Sequence, residues 1–233
     1  GLRQQAKEDL SIVRFQLEAE ILGDIYTVKG LTTLLTLDPD LNIYQWEPLS
    51  AAVIRNSDHL RSLGIAPNDV VAFSYPLPQT NALLGLDYRT VPQQWQSIKK
   101  AREIKQTFVS GPVDLVQGGR ALVIREPIFY DPPKDTRYWG VLSVVMDWDS
   151  LLSATSIYSF GEHFQVAIRG LDSRGSEGDV FFGEPRVFEH AFAQENVYFP
   201  YGSWRIAVAE KQDLLQQLSW YTRNAVRLLG YSV

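Results

Sequence analysis

Asp87 closes the nearly continuous apolar run Ala82-Leu83-Leu84-Gly85-Leu86, and Tyr88 and Arg89 follow it directly. A carboxylate at a strand end, walled on one side by hydrocarbon, can accept hydrogen bonds from a ligand N–H. Its charge makes each such bond stronger than a neutral one. The competing reading is structural: residues i and i+2 of a strand share a face, so Asp87 and Arg89 could simply pair. Phe73 and Tyr75 share one face of the preceding strand, and Leu84 and Leu86 one face of this one. All four are candidate pocket walls, and core packing explains each equally well. Arg120, Arg125 and Tyr88 could meet an anionic ligand, with surface ion pairs as the alternative.

Other chemistry finds little support. His59, His163 and His190 lie in three separate segments, none with a partner at metal-ligand spacing. Neither a nucleophile elbow nor a phosphate-binding loop is present. Asp147 and Asp149 flank Trp148 and could chelate a metal, but Asp149 ahead of Leu151 and Leu152 reads as a helix cap. The stretch Asp172-Ser173-Arg174-Gly175-Ser176-Glu177-Gly178-Asp179 misses the EF-hand spacing, and Arg174 would repel a cation; a solvated hairpin loop is expected. A carboxylate dyad of Asp87 and Asp114 would suit a hydrolase, yet no activated nucleophile accompanies it. No catalytic residue, metal or cofactor is expected.

The chain has 233 residues, 45% hydrophobic and 21% charged, with a net charge of −5. That composition fits packed globular structure and argues against disorder. It also argues against a nucleic-acid surface, which needs clustered Lys and Arg. No apolar run approaches the roughly 20 residues of a membrane span. Cysteine is absent. The chain starts at Gly1 and its single methionine is Met146, so a piece of a longer protein is expected.

Several elements must position these residues. Residues 1–36 read as one helix about 54 Å long, with Ile21, Ile25, Val28 and Leu35 on one stripe and Phe15, Ala19, Leu22 and Tyr26 on the next. Asp38-Pro39-Asp40 ends it. Leu214, Leu218, Tyr221, Ala225 and Leu228 form a heptad seam in a second terminal helix. Between them we expect a helix opened by Pro48, carrying Leu49, Val53, Leu60 and Leu63 and capped by Gly64. A strand over Val70–Tyr75 follows, then a helix from Thr90 with Gln93 in capping-box position. Strands are expected over 107–110, 121–130 and 138–148, the last two joined by a Pro-rich hairpin loop. A short helix from Asp149 and strands over 163–169, 180–182 and around 204–208 complete the pattern. The order indicates an α+β protein with mainly antiparallel sheets.

Three segments resemble the CHASE domains, extracellular ligand-sensing modules of bacterial and plant receptors. They are Leu84-Gly85-Leu86-Asp87-Tyr88-Arg89, Ser110-Gly111-Pro112-Val113-Asp114-Leu115-Val116-Gln117-Gly118-Gly119-Arg120, and Tyr138-Trp139-Gly140-Val141-Leu142-Ser143-Val144-Val145. The resemblance implies a stalk helix (1–37), a membrane-distal PAS-like ligand-binding subdomain (38–148), a membrane-proximal PAS-like subdomain (149–211) and a C-terminal juxtamembrane helix (212–233). It implies a periplasmic or extracellular location, flanking transmembrane helices and a homodimer formed through the stalks. The output would be a bacterial histidine kinase or diguanylate cyclase, with catalysis outside this chain. Plant members bind N6-substituted adenines, using an aspartate similar to Asp87, an apolar residue similar to Val109 and a threonine similar to Gly118. Gly118 lacks that hydroxyl, so the expected partner is a small molecule of unknown identity, adenine-like as one candidate. A dimerisation spacer with no ligand is the alternative.

Overall fold

A computed structural model describes residues 1–40, 42–77, 83–116, 118–211 and 224–225. The elements run α1 (Leu2–Leu37), α2 (Ile43–Arg55), β1 (Leu60–Pro67), β2 (Phe73–Tyr75), α3 (Pro92–Ile104), β3 (Phe108–Asp114), β4 (Arg120–Asp131) and β5 (Asp135–Asp147). Then come α4 (Trp148–Ser153), α5 (Ile157–His163), β6 (Phe164–Arg169), β7 (Val180–Phe182), α6 (Val187–His190), β8 (Ala193–Tyr198) and β9 (Ser203–Glu210). Two antiparallel sheets form, ordered β2-β1-β5-β4-β3 and β7-β6-β9-β8.

Helix α1 is the common backing of both sheets. Ala6, Leu10, Val13, Leu17, Ile21, Ile25, Val28, Leu31 and Leu35 recur every three or four residues and are buried, which is the apolar stripe of an amphipathic helix. Its N-terminal half meets the second sheet: Arg3 pairs with Glu210, Ser11 Oγ donates to Glu195, and Glu18 accepts from the Tyr198 amide. Its C-terminal half meets the first, where Glu20 and Asp24 hold His59. The helix ends where Asp38 leaves helical dihedrals ahead of Pro39. Phe15, Ala19 and Tyr26, from the adjacent stripe, are exposed.

The core of the second sheet is aromatic. Trp148 packs edge-on against Phe181 and Trp204, and Phe199 against Trp204, with centroids 4.9–5.6 Å apart.

Several local expectations are corrected. Asn42 opens α2 by accepting from the Tyr44 amide, while Pro48 lies inside the helix, where it frees only the carbonyl of solvent-exposed Tyr44. Leu60, Leu63 and Gly64 belong to strand β1. The helix stops at Asn56, and Ser57 Oγ accepts from the His59 and Leu60 amides, turning the chain into the sheet. Helix α3 starts on Pro92 with no side-chain cap; Thr90 sits in the preceding 3-10 turn. Asp147 caps α4, accepting from Ser150 N and Oγ, whereas Asp149 accepts from Tyr158. The heptad seam of the second terminal helix lies outside the described residues, apart from helical residues 224–225.

Candidate functional site

The two faces of the first sheet differ in character. One row across it runs Leu63, Val144, Ile124, Val109, and all four are core residues in the cluster that includes the α1 stripe. The flanking rows point the other way, because successive strand residues alternate faces. Ser74, Gly64, Ser143, Arg125 and Phe108 form one such row, and Ser62, Val145, Val123 and Ser110 the next. Every residue of these two rows lines a cavity of about 1130 Å³.

Helix α3 contributes Gln94, Ser97 and Lys100 to its wall, and Tyr88 and Leu83 close one end. The other end is built by Val113, Leu115 and Val116 after β3 and by the second sheet's Asp172, Arg174, Glu177 and Tyr201.

Arg125 sits in the middle of the polar floor. Its Nε donates to Ser97 Oγ at 3.0 Å, Nη1 to Ser143 Oγ at 2.7 Å and Nη2 to Gln94 Oε1 at 3.2 Å. The guanidinium carbon lies 5.4 Å from the Tyr88 ring centroid, within cation–π reach. Its exposure is 3%, and that burial lowers its pKa from the ordinary value.

The 3-10 turn Tyr88–Thr90 places Tyr88 here. Asp87 Oδ1 accepts from the Arg89 amide, Thr90 Oγ1 donates to the Asp87 carbonyl, and the Tyr88 amide donates to the Asp69 carbonyl. The Asp87 carboxylate is also met by the Arg89 guanidinium, at 2.9 and 3.1 Å. These bonds hold Asp87 below its usual pKa. Leu84 and Gly85 form a turn, with Gly85 at φ +86, not a strand.

None of the eight residues singled out from the sequence lines the cavity. Asp87 is turned to Arg89. Phe73, Tyr75 and Val109 join the core on the α1 side. Leu84 is exposed, and Leu86 packs with Ala66, Val71 and Ile98. Gly118 lies in the turn after β3, and Arg120 donates to the Phe181 carbonyl while pairing with Asp114. Tyr88 and Arg125, weighed as anion contacts, do line it. Ser74 and Ser110 are the immediate neighbours of predicted residues. Their signal was a polar residue alternating with apolar ones in a strand covered on both faces.

The segment 171–177 is not a solvated hairpin loop. Ser173 is buried and donates to the Val109 carbonyl at 2.6 Å, and Asp172 accepts from the Gly111 amide at 2.8 Å. It covers the edge of β3 and walls the cavity. Among the described residues no cluster of His, Asp and Glu could hold a metal ion.

Two sheets on one long helix, with a polar-floored cavity in the first, define a tandem PAS-like ligand-binding sensor fold. Solved structures of that kind superpose on it. The ligand-binding domain of the Pseudomonas aeruginosa PAO1 amino acid chemoreceptor PctB, in complex with L-Arg, matches with TM-score 0.66 and 14% identity over 91% of this chain and 96% of that one. The corresponding domain of PctC from the same organism, in complex with GABA, matches with TM-score 0.65 and 15% identity over 91% and 100%. An extracellular ligand binding receptor from Desulfohalobium retbaense gives TM-score 0.63 and 13% identity; 85% of this chain is covered, which spans only 39% of that protein. No curated protein matches in sequence. The CHASE domain model matches residues 43–182, more than half of the chain, and the chain belongs to the CHASE domain family. It is a sensor domain of a signalling receptor, not a catalytic one.

Proposed function

We propose that this domain is the periplasmic part of an inner-membrane histidine kinase or diguanylate cyclase and senses a small molecule held in the cavity of its first sheet. Residues 38–148 form the ligand-binding subdomain and 149–211 the membrane-proximal one; the segments 1–37 and 212–233 lead towards the membrane. The observation that carries this reading is the cavity itself, whose floor is polar and whose rim draws on both sheets. Binding sites of this kind combine apolar walls with a few placed polar groups.

Tyr88, Arg125, Ser143, Ser97 and Gln94 are the contacts we assign. Asp87 acts behind them by fixing the turn that presents Tyr88, and Phe73, Tyr75 and Val109 support the floor from the α1 side. The complexes of PctB and PctC with L-Arg and GABA favour a ligand of amino-acid size; an adenine-like molecule remains the other candidate.

Ligand contacts to both the sheet floor and the 171–177 loop would favour one disposition of the two sheets, in proportion to differential affinity. The exposed Phe15 and Tyr26 on α1 offer the surface through which two such chains would pair. A thermal-shift screen of small molecules against the domain tests the reading. A true ligand raises the melting temperature of the wild type but not of Val123→Phe, which sets a ring on the cavity floor beside Arg125. A domain that no compound stabilises, and that carries no molecule in native mass spectrometry, would be a dimerisation spacer.

A further inference from the structure

Arg125 is, among the described residues, the only buried Arg or Lys, and it makes no ion pair there. Removing a guanidinium from water is unfavourable unless an anion and hydrogen bonds compensate. Its protein partners, Ser97, Ser143, Gln94 and the Tyr88 side chain beside it, are all neutral. The two serines and Gln94 use three of its five N–H donors, and Tyr88 competes for the others. The cavity is where those donors can be satisfied, because Arg125 is part of its floor.

The remaining charged lining does not neutralise it. Asp114 is paired with Arg120 and Asp172 accepts from the Gly111 amide. Glu177 belongs to the second-sheet rim, where Arg174 accompanies it, and the Lys100 ammonium lies 4.9 Å from the Tyr201 ring centroid. The walls near the floor are serine and glutamine, with Leu83, Phe108, Val123 and Val145 among them.

We propose that the cavity takes a small organic monocarboxylate, its carboxylate bound by Arg125 and its hydrocarbon against the Leu83, Val123 and Val145 surface. The planar guanidinium matches a carboxylate in bidentate geometry, and one buried cation balances one negative charge. A phosphate dianion would leave a charge uncompensated. This inference rests on the sensor reading above and adds to it the charge and class of the ligand.

The test is a thermal-shift and calorimetric comparison on the wild-type domain of acetate, butanoate, hexanoate and phenylacetate, each against its own carboxamide. Inorganic phosphate and adenine serve as further probes. At least one acid is expected to stabilise the domain while its amide does not, and Arg125→Gln should weaken that acid roughly 10–100-fold. The acid–amide comparison needs no variant, so a misfolded substitution leaves the test intact. The proposal is overturned if amides stabilise as well as acids, if none of the acids stabilises, or if phosphate acts where the acids fail. Stabilisation by adenine, or release of a neutral molecule in native mass spectrometry, would overturn the carboxylate while leaving a sensor. Nothing bound by either method would remove both.

Discussion

Ser173 Oγ donates to the Val109 carbonyl oxygen at 2.6 Å, so a loop of the second sheet is bonded to the edge strand of the first. An open sheet edge presents unpaired backbone groups, and a covering loop is one way to satisfy them. Here the cover is also a cavity wall. Ser173→Ala leaves a buried carbonyl without this partner, a loss of about 1–3 kcal/mol. Urea denaturation should show a lower midpoint with an unchanged slope; an unaltered midpoint would mean that water replaces the hydroxyl.

Gly202 is a second fixed point of the same junction. Its φ is +77, and a Cβ placed on it would lie 2.1 Å from the Ser173 carbonyl oxygen. The obstacle is backbone, so it cannot rotate away. Gly202→Ala should therefore cost more than Ser173→Ala, combining left-handed strain with displacement of the 171–177 loop. A denaturation midpoint above that of Ser173→Ala would contradict this.

His59 gives the junction between α1 and β1 a pH dependence. It is buried, with Nε2 2.9 Å from Glu20 and Nδ1 2.5 Å from Asp24. Burial opposes its charge, but the hydrogen bonds and charges of Asp24 and Glu20 outweigh that and raise its pKa to about 9. A histidine pKa raised on folding contributes stability that is complete below its unfolded value near 6.5 and is lost as pH rises through the folded one. The window is thus about pH 6.5–9, and the contribution is on the order of 3 kcal/mol. The wild type should melt progressively lower across that range, and His59→Asn should flatten the slope. A slope that survives the substitution would assign it to other groups.

What was legible in the sequence follows the strength of the apolar pattern. Strands β4 and β5 were expected at 121–130 and 138–148 and occupy Arg120–Asp131 and Asp135–Asp147, because runs rich in Val, Ile and Leu admit little else. β1 was misread because Leu60 and Leu63 are three apart and Gly64 follows, which imitates a helix end. β8, Ala-Gln-Glu-Asn-Val-Tyr, went unseen since only Val197 of it is buried; it is an edge strand. The cavity was missed for a related reason. Hydrophobic patterning marks the face that packs on α1, so it selected Phe73 and Tyr75 and passed over Ser74 and Ser110. A polar cavity floor is the complement of the pattern being sought.

Helix α1 allows its two apolar stripes to be separated experimentally. Leu17 is fully buried between the helix and the sheets, whereas Phe15 and Tyr26 are 62% and 69% exposed. Leu17→Ala should leave a cavity and cost about 2–5 kcal/mol, lowering the melting temperature at every protein concentration. Phe15→Glu with Tyr26→Glu removes no core contact. It places carboxylates on the surface proposed to pair, where desolvating a charge is unfavourable. That double variant should keep the wild-type circular dichroism spectrum and unimolecular stability, yet lose the dimer fraction in light scattering of the membrane-anchored or zipper-tethered chain. A dimer unaffected by both carboxylates would move the pairing surface off this stripe, and a collapse of the monomer fold would mean that the stripe is covered within the chain.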